Sequence, residues 1–286
     1  MNQKSPVVVT EIGAVRQLVR DVRARGKTIG LVPTMGALHE GHMSLVCRAA
    51  SETDYSIVTI FVNPTQFGPS EDFSRYPRTF DSDLALLARE RVDAVFVPST
   101  DQMYPNDFST LVQPPRVAEP WEGRCRPGHF QGVATIVLKL LNVIPADVAF
   151  FGQKDFQQVR VVQDMVRDLN LPIRIEVCPT VRDADGLAMS SRNRYLNATE
   201  RRQSLALVQS LRRAGELATQ GYRDAAELRR EMLAVLERAG ITRIDYVALV
   251  HRETLANVEQ VTNETVALVA AFVGGTRLID NCSLGL

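Results

Sequence analysis

The sequence lacks an excess of charge of either sign, and this absence limits the partners it can bind. Its 286 residues include 33 Lys plus Arg and 33 Asp plus Glu, so the formal net charge is zero. Such a chain has no global field that attracts nucleic acid or an anionic membrane. We therefore expect no nucleic-acid partner and no membrane partner, and any anion site must be local.

Cysteine is scarce, and long apolar runs are missing. The four cysteines are scattered without a Cys-x-x-Cys pair, which argues against a zinc site or a disulfide framework and favours small buried side chains. No stretch approaches the roughly 20 apolar residues that span a bilayer, and no apolar signal-type segment precedes Glu11. These absences predict a cytoplasmic protein.

What is present is an alternation of short apolar runs with helical patterns. The runs, at 28–32, 56–62, 94–97, 148–151 and 173–177, are typical of buried parallel strands; helical patterns lie near 11–25, 43–53, 81–91, 131–143 and 155–169. This βαβ rhythm predicts an α/β fold with a parallel sheet that ends near Pro179. The stretches 63–80 and 98–129 are predicted to be irregular, and either functional or mobile.

The pattern changes beyond residue 180, so we expect two domains, 1–180 and 181–286. Thr199 to Thr219 predicts a charged amphipathic helix with Thr199 as its N-cap, and Asp224 to Ala239 predicts a second helix that Gly240 closes. Runs at 244–250, 265–273 and 276–281 predict strands. The second domain should be a smaller α+β domain with antiparallel pairing.

The segment Pro33–His42 joins the first strand to the next helix and holds two of the four histidines, His39 and His42. We expect His42 at or near the helix N-terminus, where unpaired N–H groups and the helix dipole attract phosphate. The spacing of three does not fit the metalloprotease motif, whose histidines are four apart. Ordinary loop histidines remain the alternative.

Another strand-to-helix segment is Phe150–Gln158. Lys154 would follow the end of a strand and can pair with phosphate, Asp155 is placed to cap the helix, and Gln158 would face the same side one turn on. A solvated cap is the simpler interpretation.

Further along, Asp183–Arg194 offers hydroxyls, amides and arginines for a pyrophosphate, or else is a linker with an Asp-Gly turn.

Two loop segments complete the candidate site. Asn63–Phe67 follows the second strand, and its side-chain amides suit a hydroxy acid, unless the segment is a plain turn. Arg126, before a long apolar helix, either neutralises phosphate or caps its loop. These segments offer hydrogen-bond donors for phosphates and amides for a small acid, but no nucleophile with a paired base. This combination favours direct transfer between bound substrates.

Together these segments resemble the pantothenate synthetase (pantoate–β-alanine ligase) family over essentially the whole chain. The resemblance rests on Pro33–His42, Phe61–Phe67, Phe151–Asp155 and Gly186–Asn193. It implies a homodimer with a Rossmann-like domain of the nucleotidyltransferase superfamily and a C-terminal lid over ATP. It further implies that the carboxylate of (R)-pantoate attacks the α-phosphorus of ATP, and that β-alanine then displaces AMP from pantoyl adenylate. Mg²⁺ is expected with the ATP phosphates.

The resemblance also implies roles for individual residues. His42, as proton donor, His39 and Lys154 are the expected catalytic residues. The positions that match ATP-binding residues are Met35, Gly36, Ala37, Leu38, His39, Glu40, Gly41, His42, Gly152, Gln153, Lys154, Asp155, Val181, Met189, Ser190, Ser191 and Arg192. Gln66 and Gln158, with Asn63 and Arg126, are expected at the substrate. The metal ligand is unassigned, and Ser82, within Asp81-Ser82-Asp83, is one candidate.

Two other classes stay open. A nucleotidylyltransferase would use the same histidine turn, although an acceptor phosphate calls for arginine or lysine where this chain has Gln66 and Gln158. An ATP-binding module without turnover is the second. A tRNA synthetase is disfavoured, because nothing after residue 180 supplies a net basic surface.

Overall fold

A computed structural model describes residues 5–69 and 71–285. The chain divides into two compact units. The first comprises the residues up to Gln153 together with Gln158–Pro179, and the second comprises Lys154–Gln157 and the residues from Thr180 onwards. No helix in the described ranges is long and apolar enough to cross a membrane.

The first unit is built on a six-stranded parallel sheet, which confirms the predicted α/β class. Its strands are β1 (Val7–Val9), β2 (Ile29–Thr34), β3 (Tyr55–Ile60), β4 (Ala94–Phe96), β5 (Val148–Gly152) and β6 (Arg174–Cys178), in the order β1-β4-β3-β2-β5-β6. Strand β1 was not predicted. Its three valines are too few to show a period, and pairing with β4 orders them although Val7 and Val8 stay exposed.

Within residues 5–69 and 71–179, seven helices follow the strands of this sheet or lie in the loops between them. They are α1 (Ile12–Arg23), α2 (Glu40–Glu52), α3 (Phe80–Arg89), α4 (Thr100–Met103), α5 (Glu122–Cys125), α6 (His129–Val143) and α7 (Phe156–Asp168). Helix α6 is apolar on nearly all sides and lies in the core, as such helices do. The two stretches predicted to be irregular hold α4, α5 and three short 3₁₀ helices, Pro64–Gln66, Phe73–Arg75 and Arg116–Ala118.

The strand order reverses between β2 and β5, and this reversal positions the candidate site. From β2 the chain adds β3 and β4 on one side, and β5 and β6 lie on the other. Open parallel sheets bind ligands outside the carboxyl ends of the strands at such a point. The segments that follow β2, β3 and β5 are therefore the ones to consider.

The second unit is α+β with antiparallel pairing, as predicted. It holds α8 (Ala198–Thr219), α9 (Ala225–Arg238) and the sheet β7 (Ile244–His251), β8 (Thr265–Val273) and β9 (Thr276–Ser283), in the order β7-β8-β9. Helix α8 packs on α9 and on β8, and their apolar faces form one core.

The start of α8 corrects a prediction. Its N-cap is Asn197, not Thr199: the Asn197 Oδ1 accepts from the amides of Thr199 and Glu200, and the Glu200 carboxylate accepts from the Asn197 amide. This reciprocal capping box satisfies three otherwise unpaired donors, which Thr199 would not do. Helix α9 ends before Gly240, whose φ of 76° confirms the predicted stop.

The cysteines correct another prediction. All four are free thiols, but Cys47 and Cys125 are exposed, and among the four only Cys178 is buried. Cys282 is half-buried, and its surroundings raise the pKa of its thiol to about 12, chiefly by desolvation. Scattered spacing excluded a framework of disulfides, but it carried no information on which face of an element each thiol occupies.

Candidate active site

The turn after β2 has a backbone that few sequences tolerate. Gly36 and Ala37 have φ values of 79° and 51°, so two successive residues are left-handed. Glycine adopts this conformation freely, whereas alanine pays a steric penalty. The Thr34 hydroxyl accepts from the Gly36 amide at 3.1 Å and fixes the start of the turn.

Two histidines close the N-terminus of α2, as the sequence predicted for His42. His39 is the N-cap, and its Nδ1 accepts from the Gly41 amide at 3.1 Å. The Nδ1 of His42, three residues on, accepts from the His39 amide at 3.4 Å, and the ring centroids are 4.1 Å apart. Because both Nδ1 atoms accept, the neutral form of each ring has its proton on Nε2. The helix terminus therefore presents two ring N–H donors beside the positive end of its dipole.

Asp83, which the sequence analysis did not select for this role, holds the same turn from α3. Its side chain is 1 % exposed, and its two oxygens accept from the amides of Ala37 and Leu38 at 3.0 and 2.9 Å. The Thr79 hydroxyl also donates to it. This carboxylate is thus engaged by backbone donors.

In the described residues no cluster of three His, Cys, Asp or Glu side chains could hold a metal ion.

Gln66 lies against the histidine turn. It ends the 3₁₀ helix that follows β3, its Nε2 contacts the Met35 Sδ at 3.0 Å, and its Oε1 accepts from the Asn63 Nδ2 at 3.1 Å. The carboxyl ends of β2 and β3 therefore place a neutral amide next to the segment that carries His39 and His42. The sequence predicted this proximity because both segments directly follow strands, whose carboxyl ends lie at one edge of a parallel sheet.

Asn63 is buried, and both its side-chain oxygen and its side-chain nitrogen are hydrogen-bonded. Its Oδ1 accepts from the hydroxyls of Thr65 and Tyr104, at 3.0 and 2.8 Å, and its Nδ2 also donates to the Gly132 carbonyl at 3.2 Å. These contacts hold Asn63 in one orientation. Its Nδ2 in turn fixes which end of the Gln66 amide is the acceptor.

A buried network holds the backbone of Gln66 from the other side. His129, at the start of α6, pairs its Nδ1 with the Gln66 carbonyl at 2.8 Å and its Nε2 with the Arg126 Nη1 at 3.0 Å. Arg126 also forms ion pairs with Glu71 at 2.6 Å and Glu122 at 3.6 Å. Burial, and then the nearby Arg126 charge, lower the pKa of His129 to about 4, so the ring is neutral and donates from Nδ1.

The second unit holds Lys154, Asp155 and the predicted residues from Val181 onwards, whereas Gly152 and Gln153 belong to the first. Lys154 and Asp155 lie in a 3₁₀ turn, Gln153–Asp155, before α7 rather than inside it, and their side chains pair at 3.7 Å. The Lys154 carbonyl accepts from the Asn281 Nδ2 on β9 at 2.9 Å. Gln158, in the first turn of α7, is half-buried and belongs to the first unit.

The residues Val181–Arg192 form a small hairpin and a 3₁₀ turn. The Met189 amide donates to the Val181 carbonyl at 3.0 Å, and the Asp-Gly pair makes the turn, with a φ of 96° at Gly186. Arg182 makes a two-point ion pair, at 2.7 and 3.0 Å, with the buried Asp280 of β9. Ser190 caps the following turn by accepting from the Arg192 amide.

The structure thus assembles the predicted residues in two sets, one in each unit. Met35, His39, His42, Asn63 and Gln66, with Arg126, share the carboxyl ends of β2 and β3. Lys154 and the hairpin that carries Val181 and Met189 are both tied to β9, through Asn281 and Asp280. Sequence reasoning missed Asp83, His129, Arg182, Asp280 and Asn281, because each acts on a distant backbone or charge and none belongs to a local motif.

Comparison with known proteins identifies the family. The sequence matches the family described as Pantoate-beta-alanine ligase over residues 7–283. The chain belongs to this family. It is 52 % identical to the pantothenate synthetase of Thermotoga neapolitana over 97 % of this chain and 99 % of that one, and 54 % identical to that of Roseiflexus sp. strain RS-1 over 90 % and 92 %.

Solved structures of ligases from this family share the fold. Pantothenate synthetase from Thermus thermophilus superimposes with a TM-score of 0.93 at 42 % identity, covering 98 % of this chain and 100 % of that one. A pantoate–β-alanine ligase from Francisella tularensis, complexed with β-γ ATP and β-alanine, gives a TM-score of 0.82 at 34 % identity, covering 98 % of each. As a member of the family, this chain is a ligase that joins pantoate to β-alanine.

Proposed function

We propose that the ligase uses ATP and works in two steps, through pantoyl adenylate. In the first, a pantoate carboxylate oxygen attacks the α-phosphorus of ATP and the bond to the β-phosphate oxygen breaks, releasing pyrophosphate. In the second, the β-alanine amine attacks the acyl carbon, AMP leaves and the amine loses a proton. The observation that carries this proposal is the neutral Gln66 amide held against the turn that presents His39 and His42.

The first unit would supply donors for the phosphates. Negative charge grows on the leaving pyrophosphate, and His39 and His42 lie at a helix N-terminus, where anions are stabilised and where their Nε2–H groups would donate to it. Donors fixed before the reaction need no reorganisation as that charge develops. We assign His42 and His39 as catalytic residues on this ground, and the segment from Met35 to His42, with Gly152 and Gln153, to ATP binding.

The second unit would add positively charged side chains and a lid over the bound ATP. Lys154, beside Asp155, offers an ammonium for phosphate, and the Ser190–Arg192 turn offers hydroxyls, amides and a guanidinium. With Val181 and Met189 they would contact ATP. We propose that residues 181–286 act as a lid, which would exclude water from the adenylate.

Pantoate would be held by amides. Gln66 and Gln158 can donate to its hydroxyls and carboxylate without competing as nucleophiles. Asn63 and Arg126 act at the substrate through Gln66, because the partners of Asn63 and the two carboxylates paired with Arg126 engage them already. This balanced charge also disfavours the nucleotidylyltransferase alternative, whose acceptor phosphate would need an unneutralised cation.

Magnesium, a dimer and the compartment complete the proposal. Mg²⁺ would neutralise the ATP phosphates, and these oxygens with water can furnish most of its ligands, which fits the scarcity of clustered carboxylates in the described residues.

We propose a homodimer in the cytoplasm. Light scattering should then give about twice the mass of one chain, and a monomer at micromolar concentration would refute the dimer. Cell fractionation tests the compartment, and recovery outside the soluble cytoplasmic fraction would contradict it.

Pyrophosphate exchange tests the roles. Exchange of labelled pyrophosphate into ATP should require pantoate, and His42→Ala and Lys154→Ala should each slow it about a hundredfold or more, as losing one preorganised donor does elsewhere. The pantoate KM should change little. His251→Ala and Lys27→Ala are matched controls that remove the same groups at positions with no proposed role, and they should keep the wild-type rate.

Two outcomes would count against the proposal. Exchange driven equally well by unrelated acids would refute the assigned substrate, and normal exchange in both variants would refute the assigned roles. Product analysis separates the alternatives: AMP release that requires pantoate and β-alanine supports the ligase, a dinucleotide product supports the transferase, and no turnover supports a module that only binds ATP.

A further inference from the structure

Asp83 occupies a position from which it controls the histidine turn without belonging to it. It lies 41 residues after His42 in the sequence, on the first turn of α3, and it is almost fully buried. A buried carboxylate is costly unless it is well hydrogen-bonded. Three donors satisfy it here, and two of them are successive backbone amides of one turn, those of Ala37 and Leu38.

Those two amides belong to the strained part of the turn. Ala37 is left-handed with a φ of 51°, a conformation that disfavours any side chain with a Cβ. Such a backbone persists only when its surroundings hold it. The carboxylate binds the amides on either side of the Ala37 Cα, and charge-assisted hydrogen bonds of this kind are roughly twice as strong as neutral ones.

The consequence reaches His39 and His42. Leu38 directly precedes the N-cap, so a shift of its amide would move the His39 backbone, and with it the acceptor geometry of both Nδ1 atoms. We propose that Asp83 is a positioning residue, which fixes the left-handed turn so that the two Nε2–H groups point at the phosphates. The inference rests on the proposed function for its kinetic part, but not for its structural part.

The kinetic test is a double-mutant cycle. Asp83→Asn is nearly isosteric but replaces one acceptor by an NH₂ group that faces a backbone N–H. It should lower the rate of pantoate-dependent pyrophosphate exchange about tenfold to a hundredfold, the loss expected from a small misplacement of catalytic groups. In a His42→Ala background the same substitution should lower the rate by less than about threefold, because residues that act as a unit are not additive.

Asp81→Asn is the matched control. Asp81 is exposed in the same first turn of α3, so this variant removes the same charge without touching the histidine turn. Its exchange rate should stay within about twofold of wild type. An equal loss in Asp81→Asn would overturn the proposal, since charge and not geometry would then matter. An equal Asp83→Asn loss with and without His42 would overturn it as well.

Histidine NMR provides a readout independent of turnover. Long-range ¹H–¹⁵N spectra report which ring nitrogen is protonated, and the chain has four histidines, each assignable by one substitution. Asp83→Asn should shift the signals of His39 and His42 and leave those of His129 and His251 in place. Unchanged His39 and His42 signals would overturn the inference. Should wild-type protein show no exchange, the proposed function fails while this measurement still decides the role of Asp83.

A second variant covers the case in which Asp83→Asn does not fold. Gly36→Ala perturbs the turn without leaving a buried charge unpaired, because its added Cβ would lie 3.1 Å from both the Asp83 carboxylate and the Ile60 side chain. It should shift the same two histidine signals and reduce exchange. Unshifted signals together with wild-type exchange would show that the turn geometry does not set the histidines, and this would refute the proposal.

Discussion

The buried histidine behind Gln66 makes the stability of the first unit depend on pH in a way that can be calculated. Burial lowers the pKa of His129 to about 4, from an ordinary value of 6.5. On acidification the unfolded chain therefore binds a proton before the folded protein does. The stability rises with pH wherever the unfolded state holds more protons, so it should fall between about pH 6.5 and pH 4 and lose nothing more from this group below that range.

The magnitude follows from the two pKa values. A difference of one pKa unit between the unfolded and folded states corresponds to about 1.4 kcal/mol. At pH 7 His129 is neutral in both states, whereas at about pH 4.5 it is protonated in the unfolded chain and still mostly neutral in the folded protein. This histidine alone should therefore make the unfolding free energy about 2 kcal/mol lower at pH 4.5 than at pH 7. The charged groups that face the ring are Arg126, Glu122 and Glu71. A protonated Nε2 would point at the Arg126 guanidinium 3.0 Å away, which opposes protonation in the folded state.

Urea unfolding of wild type and His129→Asn measures this effect. Asparagine can place its Nδ2 where the histidine Nδ1 donates to Gln66, but it does not titrate, so groups elsewhere cancel in the comparison. The single tryptophan, Trp121, precedes α5 in the same unit and gives a fluorescence signal for it. Wild type should lose about 2 kcal/mol more than His129→Asn between pH 7 and about pH 4.5. Equal losses in the two proteins would refute the assignment of a neutral, buried His129.

Three further predictions concern packing, charge and metal. Gly132→Ala places a Cβ 2.3 Å from the backbone of Pro64–Gln66, so it should raise the pantoate KM and lower the unfolding free energy by about 1–3 kcal/mol. Gly215→Ala is the control, because its Cβ would have no atom within 4 Å. Equal unfolding free energies and equal KM values in the two variants would contradict this prediction. Arg182→Met leaves the buried Asp280 carboxylate unpaired and should cost about 3–5 kcal/mol in urea unfolding, whereas a cost below about 1 kcal/mol would show the pair to be unimportant. Chelation of divalent ions should abolish pyrophosphate exchange and added Mg²⁺ should restore it; undiminished exchange would exclude a metal requirement.

Local pattern predicted the helices and strands well, apart from their ends. The five predicted strands of the parallel sheet appear within one or two residues of the predicted runs; β2 to β5 are buried and largely apolar, as strands covered on both faces are, whereas the edge strand β6 keeps Arg174 and Glu176. Strand β1 escaped prediction because three valines gain their order from pairing with β4, not from a period. The cap of α8 was misplaced because a helix start depends on which side chain reaches the free amides, and Asn197 with Glu200 does so better than Thr199.

The candidate site divides in the same way. The sequence predicted His42 at a helix start, and the structure confirms it, because a glycine turn between a strand and an amphipathic helix is a local signal. It also anticipated Gln66 near that turn, because consecutive parallel strands end at one edge of a sheet. It did not anticipate Asp83 or His129. Their partners are backbone groups more than 40 residues away, and no spacing in the chain marks them.

The order of residues along this chain therefore determined the parallel sheet, the two-part organisation and the donors offered by the strand-to-helix turns, since these depend on periodicity and on neighbours a few residues apart. Only the tertiary structure decided the tautomers of His39 and His42, the neutral state of His129 and the use of Asp83 as a backbone anchor. Each of these depends on burial and on hydrogen-bond partners that folding brings together from distant segments.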